Sequence, residues 1–272
     1  MKSNIEKLNS YWKEYFEEAI LTDFQLNPNK IKSVPEEIEA KFQTEFAPEP
    51  FYGYLTENIS NDILMLLINP GEKDVNSLRI YYPEFAHLDD ESLIKMSNHH
   101  IAFRHLHWGK NDFLKRELEF NKIPRDWRTK MKKMCEKAFK MKFDFLHTIE
   151  FFPYHSKNWK ISKALKQEWI EQIEATNLAI NTIHELSIER KPKRIIGIGK
   201  SWVEVLEHYN NLFELVREEK ILGPSGKNYA HRFYQFKAKG YPNSLPIVIY
   251  VASAINLPSE TEANNLLNSL FS

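Results

Sequence analysis

Asn69 closes an apolar run, Asp62-Ile-Leu-Met-Leu-Leu-Ile68, and is followed by Pro70 and Gly71. A carboxamide donates and accepts hydrogen bonds, so it can hold and orient a water molecule. Pro70 stiffens the turn, and Gly71 lets backbone come close to a ligand. On its own, Asn-Pro-Gly is a turn signal. Two further junctions of the same kind follow. Phe151-Phe-Pro-Tyr-His-Ser156 offers Tyr154, His155 and Ser156. Val251-Ala-Ser-Ala-Ile-Asn-Leu-Pro-Ser259 offers Ser253, Asn256, Leu257 and Ser259. Polar loops at the carboxyl ends of apolar strands are the means by which an open α/β sheet builds one site.

The elements that must position these loops are legible from periodicity. Ile5, Leu8, Trp12, Tyr15, Phe16 and Ile20 recur at helical spacing over 5–20. Ser33-Val-Pro-Glu-Glu reads as a second helix start. Ala47-Pro-Glu-Pro50 breaks the chain, and Tyr52–Leu55 reads as a short strand before the main strand, Ile63–Ile68. Asp89 opens a helix, Trp127–Met141 is a basic helix, and Phe143–Phe152 is the next strand. Lys160–Glu189 is one long helix or two joined. Lys193–Gly199 is a buried strand and Ser201–Tyr209 the helix after it. Leu215–Ile221 and His231–Ala238 form a hairpin across Gly223–Gly226. Pro246–Ala252 is the last core strand, and Glu260–Leu270 is the closing helix. Strands alternating with helices imply a mainly parallel sheet covered on both faces.

Composition narrows the function classes. The 272 residues include 18 Phe, 12 Tyr and 6 Trp, rings that fill a core or stack on bases. The single Cys135 excludes a disulfide framework, a four-cysteine iron–sulfur cluster and a multi-thiolate zinc site. There is no long apolar run and no signal-peptide core, which points to a cytoplasmic protein without a membrane span. Net charge is zero but uneven: from Arg104 to Lys142 there are 13 Lys/Arg against 5 Asp/Glu. Such a stretch is either a solvated helical face or the footprint of a phosphate backbone.

Two patterns carry less than they suggest. Gly197-Ile-Gly-Lys-Ser201 resembles the end of a phosphate loop, but the motif needs glycine where Arg194 stands. Gly199 there serves close strand–helix packing, and Lys200 at most approaches a backbone phosphate. His99, His100, His105 and His107 are close in sequence but lack zinc-ligand spacing with a carboxylate, so no metal is expected.

The run Leu66-Leu-Ile-Asn-Pro-Gly71 resembles the first motif of the uracil-DNA glycosylase superfamily, in the form found in its mismatch-specific branch. The order of elements over about residues 50–270 is similar too. Glu150–Ser156 falls where that superfamily reads the base, and Ser253–Ser259 falls where it usually carries a His-Pro-Ser loop entering the minor groove. The chain departs from the pattern there: Leu257 replaces the histidine, and Ser253 and Asn256 are the nearest polar residues.

The resemblance implies an α/β fold, a three-layer α/β/α sandwich with a short, mainly parallel central sheet and an N-terminal helical addition. It implies one domain over 1–272, with a helical extension at 1–50 and a basic insertion at 72–142. The implied activity is hydrolysis of the N-glycosidic bond of a flipped base in double-stranded DNA, by a monomer with no cofactor. Asn69 would position the water, Glu72 or Asp74 would act as base, and His155 with backbone near Gly71 would stabilise the leaving base. Ile68, Pro70, Gly71, Tyr154 and Ser156 would bind the substrate. Lys200, Ser253, Asn256, Leu257 and Ser259 would contact DNA, with Leu257-Pro258-Ser259 as a wedge. Relatives in phage defence remove bulky bases such as glucosylated hydroxymethylcytosine from viral DNA, and 72–142 would give room for one. A glycosylase fold that binds DNA or protein without catalysis, and a hydrolase of small nucleosides, are the other classes left open.

Overall fold

A computed structural model describes residues 2–24, 43, 45–56, 58–68, 70–120, 127–156, 173–222, 229–252, 257–258 and 261–271. The helix expected at Ser33, the hairpin turn at Gly223–Gly226 and residues 160–172 of the expected long helix lie outside them. Among the described residues the architecture is mixed α/β with a seven-stranded sheet. The chain divides into two compact units. One comprises Met1–Tyr52, Ile68–Trp108 and Glu150–Asn181; the other comprises Gly53–Leu67, Gly109–Ile149 and Thr182–Ser272. The segment 72–142 is divided between the two units, at Trp108 and Gly109.

In the first unit, α1 (Asn4–Leu21) starts at a capping box in which Ser3 and Glu6 satisfy each other's backbone N–H. Its buried stripe is Ile5, Leu8, Trp12, Phe16 and Ala19. The two-residue strand β1 is Phe51–Tyr52. Helix α2 (Val75–Tyr81) is capped by Asp74, and α3 (Asp90–His107) by Asp89, whose side chain accepts from the Ser92 N–H. Helix α1 packs on α3. Phe46, Leu78 and Leu93 form a small core beneath α2 and α3.

The second unit holds six of the strands, in the order β3-β2-β4-β7-β6-β5. These are β2 (Ile63–Leu67), β3 (Leu146–Glu150, its last residue in the first unit), β4 (Arg194–Ile198), β5 (Phe213–Leu222), β6 (Tyr229–Ala238) and β7 (Ile247–Val251). Strands β2 and β4 pair in parallel from Ile63↔Arg194 to Leu66↔Gly197, and β4 and β7 from Ile195↔Ile247 to Ile198↔Tyr250. The sheet is more mixed than expected, because β6 pairs antiparallel with both β7 and β5. A short connection from β6 to β7 allows only antiparallel neighbours, whereas a parallel pair needs a crossover. Both hairpin strands are ten residues long, longer than their apolar pattern suggests.

Helices α4 (Lys110–Phe120), α5 (Trp127–Phe139), α7 (Lys200–His208) and α8 (Thr261–Ser269) belong to this unit, and α6 (Glu174–Glu189) runs from the first into the second. Helix α5 ends two residues before the expected Met141, because Lys140 takes a left-handed φ of +50°. Its apolar side, Met131, Cys135, Ala138 and Phe139, joins Met65, Ile196, Val248 and Phe271 in the main core. Among the described residues no helix is long and apolar enough to cross a membrane.

Asp62 fixes where these strands begin. It is fully buried, and its carboxylate accepts from the Phe145 N–H at 3.0 Å, His147 Nε2 at 2.8 Å and the Tyr54 hydroxyl at 3.2 Å. Its backbone carbonyl accepts from the Lys193 N–H at 2.8 Å. One acid thus ties the entry of β2 to those of β3 and β4. A buried carboxylate is tolerable only with such a complete set of donors.

The candidate site: a loop edge over a buried charge cluster

Two of the three expected junctions meet in the first unit. The carbonyl of Ile68 accepts from the Phe152 N–H at 2.8 Å, and that of Gly71 accepts from the Ser156 N–H at 3.1 Å. The Gly71 carbonyl also accepts from Nδ1 of His155, at 3.2 Å. Gly71 has a φ of +81° with open space where a Cβ would lie. Its lack of a side chain therefore serves conformation, since left-handed backbone is strained for other residues.

Beneath this edge lies a largely buried acid, 17% exposed, that sequence reasoning missed. Glu49 Oε1 is 3.3 Å from Lys73 Nζ and 3.4 Å from His155 Nε2, and its Oε2 is 3.4 Å from an Arg104 guanidinium nitrogen. The Glu49 N–H donates to Pro153 O at 2.8 Å. Gln43 clamps the peptide of Lys73 from both sides: its amide donates to Lys73 O at 2.8 Å and accepts from Lys73 N–H at 2.9 Å. The Gln43 N–H donates to His155 O at 2.9 Å. Aromatic faces complete the setting, with Phe46 5.6 Å from Lys73 Nζ and Tyr52 5.3 Å from the Arg104 guanidinium.

The electrostatics follow from these contacts. Burial pushes the Glu49 carboxyl up, but Lys73, His155 and Arg104 together outweigh it and hold the group well below the usual carboxylate range. Glu49 is therefore ionised. Burial pulls His155 below its ordinary value, and Lys73 adds to that, while Glu49 and the Gly71 carbonyl oppose it. A carbonyl only accepts, so His155 carries its proton on Nδ1. Its Nε2 then faces a carboxylate oxygen at 3.4 Å. Both ring nitrogens look at acceptors, so a second proton on the ring would turn this contact into an ion pair.

The remaining expected residues separate clearly. Asn69, Ser253, Asn256 and Ser259 lie outside the described residues. Ile68 and Pro70 are half-buried, and Glu72 is exposed. Asp74 is not poised as a base. Its carboxylate caps α2, accepting from the Ser77 N–H at 2.9 Å and the Ser77 hydroxyl at 2.7 Å, and these bonds depress its pKa. Tyr154 is buried, its hydroxyl raised by burial and by nearby Tyr11 and Tyr15, so it is a core ring rather than a stacking platform. Ser156 is buried and acts through its backbone. His155, at 3% exposure, cannot reach a leaving base in this conformation.

Lys200 and Leu257 belong to the second unit. Lys200 is exposed and paired with Glu204 at 3.1 Å. Leu257 is not a wedge, because its side chain is buried in the main core, and Pro258 is buried beside it in the chain. Close strand–helix packing depends on Gly197 rather than Gly199: a Cβ there would lie 2.6 Å from Ile249 Cδ1 and 3.3 Å from the Trp202 ring.

The four histidines of α3 go separate ways. His99 pairs with Asp23 at 3.1 Å, His100 Nδ1 bonds the Tyr82 hydroxyl at 2.6 Å, His105 stacks on Phe16, and His107 lies against Phe103. No group of three or more metal-ligating side chains is gathered among the described residues.

The signal for Glu49 was present but easily misread. In Phe46-Ala-Pro-Glu-Pro-Phe-Tyr52 a lone acid stands within an apolar, proline-bounded stretch. An acid in such a setting is buried only when cations meet it. Those cations, Lys73 and Arg104, are remote in sequence.

Comparison of the chain with models of known protein families, with curated proteins and with solved structures finds no match.

Proposed function

We propose that the protein hydrolyses the N-glycosidic bond of a base flipped out of DNA, leaving an abasic site. The observation that carries this reading is the meeting of the two junctions at the Gly71 carbonyl, which ties the backbone on either side of Asn69, at Ile68 and Gly71, to the 152–156 loop by hydrogen bonds. A catalytic group works best when its support is fixed. On this reading the helices and sheet form the α/β/α sandwich that the resemblance implies.

The chemistry assigns few groups. The C1′–N bond breaks as the sugar takes on oxocarbenium character, and the base leaves with the electron pair. Water adds at C1′, held by Asn69, with exposed Glu72 as the group that takes its proton. Backbone near Gly71 faces the departing base. His155 is a positioning residue beneath that backbone, with Glu49 and Lys73 behind it. A bulky modified pyrimidine such as glucosylated hydroxymethylcytosine in phage DNA is the favoured substrate, on the resemblance and the length of 72–142.

The test is abasic-site formation on uracil, thymine-mismatch and glucosylated-hydroxymethylcytosine duplexes, with Asn69→Ala and Asp74→Ala beside the wild type. Cleavage of one substrate, lost in Asn69→Ala and kept in Asp74→Ala, is the expected result. DNA binding with no abasic site on any of the three overturns hydrolysis of these bases and leaves a DNA-binding protein. Turnover of ordinary uracil DNA alone refutes the modified-base reading.

A further inference from the structure

Helix α5 has one face in the core and another made of lysine. Lys130, Lys133 and Lys137 are exposed at spacings of three and four, and exposed Lys140 follows in the turn that ends the helix. At 3.6 residues per turn the three helical lysines fall within an arc of about 60°, on the side away from Met131, Cys135 and Ala138. The helix has one acid, Glu136, and it is engaged elsewhere. It accepts from Lys142 Nζ at 3.2 Å and from the Phe143 N–H at 3.3 Å. None of the four lysines pairs with an acidic side chain among the described residues. Some lysines elsewhere do, among them Lys13 with Glu17, Lys95 with Asp23, Lys191 with Glu189 and Lys200 with Glu204.

We infer that this stripe is a docking surface for the phosphate backbone of DNA. From Lys130 to Lys140 it extends about 15 Å at the helical rise. Phosphates recur about every 3.4 Å along the axis of each strand, so four cations in that length match a backbone of high charge density. The apolar side of α5 decides against a membrane surface. An interfacial helix buries its apolar face in lipid, and here that face is already in the core. Apart from Trp127 at its first residue, what the helix exposes is lysine, which suits phosphates read without regard to sequence. The inference rests on the DNA half of the proposed function and not on hydrolysis.

The test is binding of a fluorescent 20-base-pair duplex, and of its single strand, between 50 and 200 mM salt. The wild type is compared with K130Q/K133Q/K137Q/K140Q and with the control K13Q/K191Q, whose lysines are already paired with acids. Each lost phosphate contact lowers the salt slope by about 0.9 on duplex and about 0.7 on single strand. The quadruple variant should lose up to about 3.6 units of slope on duplex, and on the order of a hundredfold or more in affinity at 100 mM salt. The control should match the wild type, and unchanged melting temperatures should show both variants folded.

Equal slopes for the wild type and the quadruple variant overturn the inference even if abasic sites form. Binding of phosphatidylserine vesicles in place of DNA also overturns it. Lysine-dependent DNA binding without abasic sites supports it while removing the glycosylase reading.

Discussion

Replacing Glu49 by Gln keeps the side-chain shape and removes the charge between Lys73 and Arg104. In the native protein that carboxylate lies within 3.3–3.4 Å of Lys73, Arg104 and His155, all of them mostly buried. Removing one partner of a buried ion pair leaves the other uncompensated and typically costs about 3–5 kcal/mol. The lower end applies, because Lys73 keeps 13% of its side chain in contact with solvent. The expected loss is about 3 kcal/mol at pH 7, measured by urea unfolding followed by circular dichroism.

The pH dependence separates this from a packing defect. The Glu49 carboxyl is depressed in the folded state, so its contribution is complete above its ordinary value near 4.3 and fades as pH falls through the depressed folded value. The gap between wild type and variant should therefore narrow in acid. His155 is depressed as well, so the wild type loses stability from about pH 6.5 downward as unfolded chains take up the proton that the folded ring resists. Without Glu49 to favour the imidazolium, that loss should be steeper in the variant above pH 5. A double variant, Glu49→Gln with Lys73→Met, should regain part of the loss, since it removes charge from both sides. A variant as stable as the wild type at pH 7, or a gap that does not narrow below pH 4, refutes the reasoning.

Two further substitutions test how backbone and core are matched. Gly53→Ala places a Cβ 2.0 Å from Nδ1 of buried His147, at a φ of +114°. Steric overlap and backbone strain each contribute about 1–3 kcal/mol, and a thermal melt should show a drop of about 4 °C or more. Gly197→Ala meets only the tip of Ile249 and the Trp202 ring, so its loss should be about 1–3 kcal/mol. Removing that tip with Ile249→Val should recover part of it, as a double-mutant cycle by chemical denaturation would show.

Local patterns determined much of the scaffold. The apolar stripe of α1, the acid Asp89 that starts a helix, and the runs around Ile63, Ile195 and Ile247 are properties of neighbouring residues. Helix periodicity and strand hydrophobicity report on burial within a few residues, so they survive without knowledge of the fold. Even so, Asp74 looked like a base and proved a cap, because the same carboxylate serves either purpose until its partner is known. The seat of the Gly71 carbonyl was half visible, since both junctions were legible but not their hydrogen bonds.

The charge cluster was decided by tertiary structure alone. Glu49, Lys73, Arg104 and His155 come from four separate stretches of chain, and no local preference links them. The same holds for Asp62, whose donors Tyr54, Phe145 and His147 are up to 85 residues away. Leu257 shows the reverse case: its position matched a surface loop, and packing took it into the core. A charge is stable out of water only when opposite charges and donors surround it. Which residues do so depends on contacts between distant segments, and those exist only once the chain has folded.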